Sequence, residues 1–411
     1  MRPPVGLDVS FVRSRFPAFS QPDLKGLAFF ENAGGSYPCG AVVERLTRFY
    51  ASRKMQPYGP ATASQLGGAE MDEARNRLAM LLGVDADEVS FGPSTTQNVY
   101  VLAQAFGEWM GPGDAIVVTD QDHEANSGPW RRLAGRGIEV REWRLDPETG
   151  HLDPAELAQL LDERVRLVAF PHCSNVVAEI NDVASIVSMI HDAGAAACVD
   201  GVSYAPHGLP NVSKLKADIY LFSTYKTYGP HQGVMVIRRA LSERLPAQGH
   251  WFNSQTPTKR FTPAGPDHAQ VAASAGIADY IDELYRHHGL PEAAPAERCA
   301  VVHDLMRDHE IRLLQPLLDY LDGRNDLRLL GPRRAEARAP TVAVHLDRPG
   351  RELAEALAGH GIACDGGDFY ARRPLMAMGI DPEPGVLRMS FVHYTSGADV
   401  ERLMVALDKV L

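Results

Sequence analysis

Between residues 85 and 240 the chain alternates short runs of β-forming apolar residues with helix-like segments, and this alternation restricts the fold more than any other feature. Strands are predicted at 115–119, 138–143, 165–171, 195–200, 218–222 and 234–237. Most are apolar along their whole length, as strands covered by helices on both faces must be. Strands with one wet face would alternate instead. The intervening stretches 154–162 and 183–193 have helical spacing, and Gly194 closes the second as a C-cap. A wound α/β core is expected.

Around residues 249–270 the pattern breaks into Pro, Thr and Gly, which predicts a loop or crossing segment. Helical patterns follow, then a second α+β region: a strand at 341–345, a helix at 352–360, a strand at 386–391 and a closing helix at 398–411. At 411 residues the chain is too long for one ordinary core, and a boundary between two lobes is expected near 270–290. With 45% hydrophobic and 23% charged residues the composition is that of a globular protein. The 52 acidic against 41 basic side chains argue against nucleic acid or an anionic membrane as the main partner. No run approaches the roughly 20 apolar residues that span a bilayer, and the N-terminus lacks an apolar signal core. Five scattered cysteines (39, 173, 198, 299 and 364) form neither a disulfide framework nor a paired zinc motif, so no metal is expected. These features together predict a soluble cytoplasmic enzyme.

Four stretches at strand ends carry chemistry, and loops at the carboxyl edge of such a sheet are where ligands collect. Gly92-Pro-Ser-Thr-Thr-Gln-Asn98 runs into a helix, so its hydroxyls and backbone N–H groups suit a phosphate, although Ser and Thr also cap helices without any ligand. In Asp122-His-Glu-Ala-Asn126, His123 is either structural or a site residue at the same edge. Asp200 ends a buried strand, where a carboxylate is costly unless it meets a cation or caps the next turn. A protonated pyridine nitrogen is one such cation. In Phe222-Ser-Thr-Tyr-Lys-Thr-Tyr-Gly229, Lys226 is either a surface lysine or one whose lowered pKa allows a Schiff base.

The order of these stretches, with Asn175 after the strand at 165–171 and the opening Phe29-Phe-Glu-Asn-Ala-Gly-Gly35, resembles the class V aminotransferase superfamily. Within it, the chain is similar to the cysteine desulfurase and selenocysteine lyase branch of fold type I pyridoxal-phosphate enzymes, over nearly its whole length. The resemblance implies a large cofactor-binding domain at 27–270 with a mixed, mainly parallel sheet. It also implies a small α+β domain built from residues 1–26 and 285–411. Pyridoxal 5'-phosphate is the implied cofactor and a homodimer the implied assembly, with the active site near the subunit interface. Lys226 would form the Schiff base, Asp200 would hold the pyridine nitrogen protonated, and His123 and Val202 would flank the ring. Thr95, Thr96 and Ser223 would hold the phosphate, with Ser203 and Tyr225 as further cofactor contacts. Asn175 would reach the ring hydroxyl or the substrate carboxylate. Arg388, with Asn32, would bind substrate, its guanidinium forked onto the α-carboxylate.

The sequence also departs from the family pattern. Ser203 and Tyr225 stand where desulfurases carry Gln and His, and Ala264-Gly265 stands in place of a Gly-Thr pair that reaches the partner's phosphate. Tyr370 falls at the position of the desulfurase cysteine, and Cys364, six residues earlier, reads as structural. Arg372 and Arg373 read either as receptors for a second carboxylate or as solvated loop charges. The implied activity is that of a lyase acting at the β-position of a small L-amino acid, by elimination, β-decarboxylation or carbon–carbon cleavage, without a protein thiol. Transamination or epimerisation on the same lysine is the alternative.

Overall fold

The structure, a computed structural model, describes residues 6–411. Its centre is a seven-stranded sheet in the order Val89–Gly92, Gly233–Ile237, Ile219–Ser223, Ala196–Asp200, Val165–Pro171, Ala115–Thr119, Glu139–Trp143. The five strands from Ile219–Ser223 to Glu139–Trp143 run parallel. Gly233–Ile237 runs antiparallel to its two neighbours, so the sheet is mixed and mainly parallel, as expected. Successive side chains of one strand enter different cores: Ala115 and Val117 pack into one apolar cluster, Ile116 and Val118 into the other. That division is why the strands read as unbroken apolar runs rather than as alternating ones.

All six predicted central strands are present within a residue or two of their expected ends. The sheet has one strand more, Val89–Gly92. Its four residues include a serine and a glycine, too short and too mixed to display a period. Pairing with Gly233–Ile237 and complete burial hold it in the sheet instead.

The C-terminal region has its own antiparallel sheet, ordered Asp365–Gly367, Val386–Ser390, Thr341–His345, Arg328–Leu329. The helices Gly350–Ala358 and Gly397–Val410 contribute to its core, together with the second half of the long helix Pro295–Asp322. Ala28 and Phe30 join this core too, and the strand Ala28–Phe29 pairs in parallel with Ile362–Ala363. The N-terminal segment is thereby brought beside Arg388, on the strand Val386–Ser390. Among the described residues no helix is long and apolar enough to cross a membrane.

Candidate active site

The four co-directional strands ending at Thr119, Pro171, Asp200 and Ser223 deliver their following loops to one edge of the sheet. A small cavity of about 60 Å³ lies there, lined by Thr95, Thr96, His123, Asn175, Asp200, Val202, Ser203, Ser223, Tyr225 and Lys226. Ten of the residues singled out from the sequence thus meet in one place. A larger cavity of about 560 Å³ adjoins it, sharing Thr96, His123, Asn175, Tyr225 and Lys226 and adding Arg388.

Lys226 is 8% exposed, on a single turn after the strand Ile219–Ser223. Burial pulls its amine down to about 8, and the nearby Arg388 charge acts in the same direction. A large share of it is therefore neutral near pH 8, as a nucleophile or base must be. Asp200 is buried, with Oδ1 accepting from the Val202 N–H at 2.8 Å. Its other oxygen has no hydrogen-bond donor among the described residues. Burial pushes the carboxyl up to about 6, while the Val202 N–H and Lys226 hold it down. His123 Nδ1 accepts from the Ala125 N–H at 3.0 Å, which assigns the proton to Nε2. Burial first, then Lys226 and Arg388, lower its pKa to about 3, so the ring is neutral.

Thr95 and Thr96 open the helix Thr95–Trp109, whose N-cap Ser94 accepts from the Gln97 N–H. The Thr95 and Ser223 hydroxyls lie 2.9 Å apart. The two flanking glycines are sterically required: a Cβ on Gly233 would lie 2.4 Å from the Ser94 carbonyl carbon, and one on Gly92 would strike Asn98. This close approach sets the free N–H groups of the helix start against the cavity, a cradle for an anion. Tyr225 stacks on His231 with ring centroids 4.5 Å apart, and Lys226 Nζ sits 5.9 Å from the Tyr225 ring.

These residues fit pyridoxal 5'-phosphate. An anion cradle, a half-satisfied carboxylate and a buried neutral amine converge on one cavity. Asn175 Oδ1 is buried there without a partner, while its Nδ2 donates to the Phe369 carbonyl at 3.0 Å.

Not every sequence-predicted residue points into these cavities. Asn32 is buried, but its side chain is taken up internally: Nδ2 donates to the Ser390 carbonyl and Oδ1 accepts from the Tyr394 hydroxyl. Arg372 and Arg373 open the short helix Arg372–Ala377, where Arg372 pairs with Asp368 and Glu383, and Arg373 with Glu124. Cys364 sits between two short strands and lines neither cavity, and burial pushes its thiol up to about 12. Tyr370, 74% exposed, does line the larger cavity. Its φ of 56°, after 53° at Phe369, places two non-glycine residues in the left-handed region.

Two carboxylates at the site escaped the sequence reading. Asp122 is buried beside Asp200, and burial together with the Asp200 charge raises its pKa well above the usual carboxylate range. The Asn126 amide donates to Oδ2 at 2.7 Å, and Oδ1 has no partner. Glu31 pairs with Arg388, Oε1 to Nη2 at 3.1 Å. Both residues stood inside stretches already singled out, but a spacing cannot say which acid turns inward.

Residues 28–403 match the Aminotransferase class-V family. The chain is 32% identical over 414 residues to the aminotransferase-like protein FGM3 of Gibberella zeae, covering 97% of this chain and 98% of that one. It is 29% identical to a cysteine desulfurase of Serratia proteamaculans, covering 97% of each. Among solved structures, the apo cysteine desulfurase of Thermococcus onnurineus NA1 superposes with a TM-score of 0.83 at 25% identity, over 100% of this chain and 98% of that one. The chain belongs to the class-V aminotransferase family and is a pyridoxal-phosphate-dependent enzyme.

Proposed function

We propose that this enzyme cleaves a bond at the β-carbon of a small L-amino acid without a nucleophilic cysteine of its own. The observation that carries the reading is the loop at the mouth of the larger cavity, which presents Tyr370 where the related desulfurases are expected to carry a thiol. Cys364 does not reach that cavity and its thiol is held protonated by burial.

When bound, the cofactor supplies an aldehyde for the substrate amine and a ring that draws electrons from Cα. In this reading Lys226 holds the aldehyde and, once released, moves the proton at Cα. Asp200 holds a proton on the ring nitrogen. Thr95, Thr96 and Ser223 grip the phosphate, His123 and Val202 flank the ring, and Ser203 and Tyr225 complete the cofactor contacts. Arg388 orients the α-carboxylate, and Asn175 fills the remaining contact near the ring.

Incubation with L-cysteine followed by intact mass measurement tests the missing thiol. No persulfide should form on the protein, and Cys364→Ala should leave turnover of the β-substituted substrate within about twofold. An attacking thiolate has to come within roughly 3–3.5 Å of the substrate sulfur, and Cys364 sits between the short strands Ile362–Ala363 and Asp365–Gly367 rather than at the loop tip. A sulfur adduct on Cys364 that the Ala variant cannot form would restore the desulfurase reading. The products from cysteine, selenocysteine, aspartate and cysteine sulfinate then name the bond: sulfide, selenide, carbon dioxide or sulfite, respectively, for the lyase. A keto acid with none of these favours transamination, the reading closer to the aminotransferase-like relative.

We further infer a homodimer. Exposed apolar side chains support it: Met55 and Tyr58, with Trp251 (86% exposed) and Phe252 in the segment expected to be a loop or crossing segment. Light scattering should read twice the 44.9 kDa chain mass. A monomer at micromolar concentration would end this inference.

A further inference from the structure

Glu31 enters the larger cavity just beyond the strand Ala28–Phe29, and the backbone is shaped around its side chain. A Cβ on Gly34 would lie 2.3 Å from Glu31 Oε1. The carboxylate meets Arg388 through one contact, Oε1 to Nη2 at 3.1 Å. Glu31 Oε2 and Arg388 Nε are both buried without partners. An arginine and a free carboxylate prefer two parallel hydrogen bonds, so this pair leaves half of the guanidinium fork unused.

The rest of Arg388 is held in place. Nη1 donates to the Asn175 carbonyl at 3.3 Å, and the Phe369 ring covers the guanidinium at 3.7 Å. The arginine is therefore held on the strand Val386–Ser390, and Glu31, whose backbone bridges to Ser390, reaches it through its side chain by a single contact. Burial raises the Glu31 pKa even with Arg388 beside it, so its charged form is poorly solvated here.

We propose that Glu31 is a built-in competitor for the substrate α-carboxylate. In the free enzyme it occupies one arm of Arg388, and an incoming carboxylate displaces it or binds against its charge. Either route weakens every carboxylate ligand at this site, so Glu31 sets the substrate concentration at which the enzyme works. This inference rests on Arg388 being the α-carboxylate receptor, and the experiment separates the two.

The holoenzyme is titrated with L-alanine and with ethylamine, which lacks the carboxylate, while the visible absorbance of the bound cofactor is followed. Glu31→Gln and Glu31→Ala should each bind alanine roughly tenfold more tightly than wild type, the scale of one charge-assisted contact. Their affinity for ethylamine should be unchanged. Alanine affinity that is equal to or weaker than wild type in both variants overturns the proposal, the weaker result marking Glu31 as a support for Arg388. Arg388→Gln supplies the other arm. If Glu31→Gln holds alanine no better than ethylamine, or Arg388→Gln keeps the preference for alanine, the receptor assignment itself fails.

Discussion

Lys226→Ala is expected to lower turnover by on the order of 10⁴-fold or more, because one side chain both anchors the cofactor and moves the proton. Borohydride treatment should fix cofactor covalently to the wild-type chain at Lys226 and leave the variant unlabelled on mass measurement. The lowered amine pKa of about 8 adds a second readout with a definite sign. Neutral amine is the attacking form, so capture of added cofactor by apoenzyme should quicken as the pH rises from 6.5 and level off above about 8. An unperturbed lysine would keep accelerating up to pH 10. A variant that still retains a reducible covalent cofactor would remove Lys226 from the mechanism. A wild-type capture rate still climbing at pH 9.5 would show instead that burial does not tune the amine.

Lys226 and Asp200 stood out in the sequence because Asp200 ends one buried apolar run and Lys226 closely follows another. An acid or an amine at the end of such a run has to find a partner, and a sheet edge is where a ligand can supply it. His123, Asn175 and the Thr95–Thr96 pair were singled out through the family resemblance, and the structure brings all four to one cavity. What stayed hidden depended on residues far apart in the chain. Glu31 and Arg388 are separated by 357 positions, and their meeting depends on how the N-terminal segment docks onto the C-terminal sheet. Asn32 adjoins Glu31 in sequence, yet the same docking turns its amide toward Ser390 and Tyr394 instead. Arg372 and Arg373 offered two readings, and their acidic partners, Asp368, Glu383 and Glu124, could be known only from the structure. The strand Val89–Gly92 escaped for a related reason: its partner, Gly233–Ile237, lies more than a hundred residues away.

Asp200→Ala should slow removal of the substrate Cα proton by on the order of 10³-fold, the usual loss when a preorganised charge contact is taken from a dry site. The argument turns on which proton the carboxylate holds in place. Asp200 accepts the Val202 N–H on one oxygen and has no donor on the other, so a ring nitrogen can be met there without displacing anything. With the carboxylate gone, a pyridine nitrogen in a buried site loses its proton to water, and the ring can no longer draw electrons from Cα. Exchange of the Cα hydrogen of L-alanine into deuterium oxide, followed by NMR, measures this step without requiring the natural substrate. The pH dependence gives an independent check. Only ionised Asp200 can pair with the ring, so wild-type exchange should fall as the pH drops through a value no higher than about 6, since a cation beside the carboxylate lowers its pKa further. In Asp200→Ala that acid limb should disappear from the residual rate. Near-wild-type exchange in a variant that holds a full complement of cofactor would show that the ring nitrogen is not what Asp200 serves. Asp122, buried beside it with one free oxygen, would then be the carboxylate to remove next.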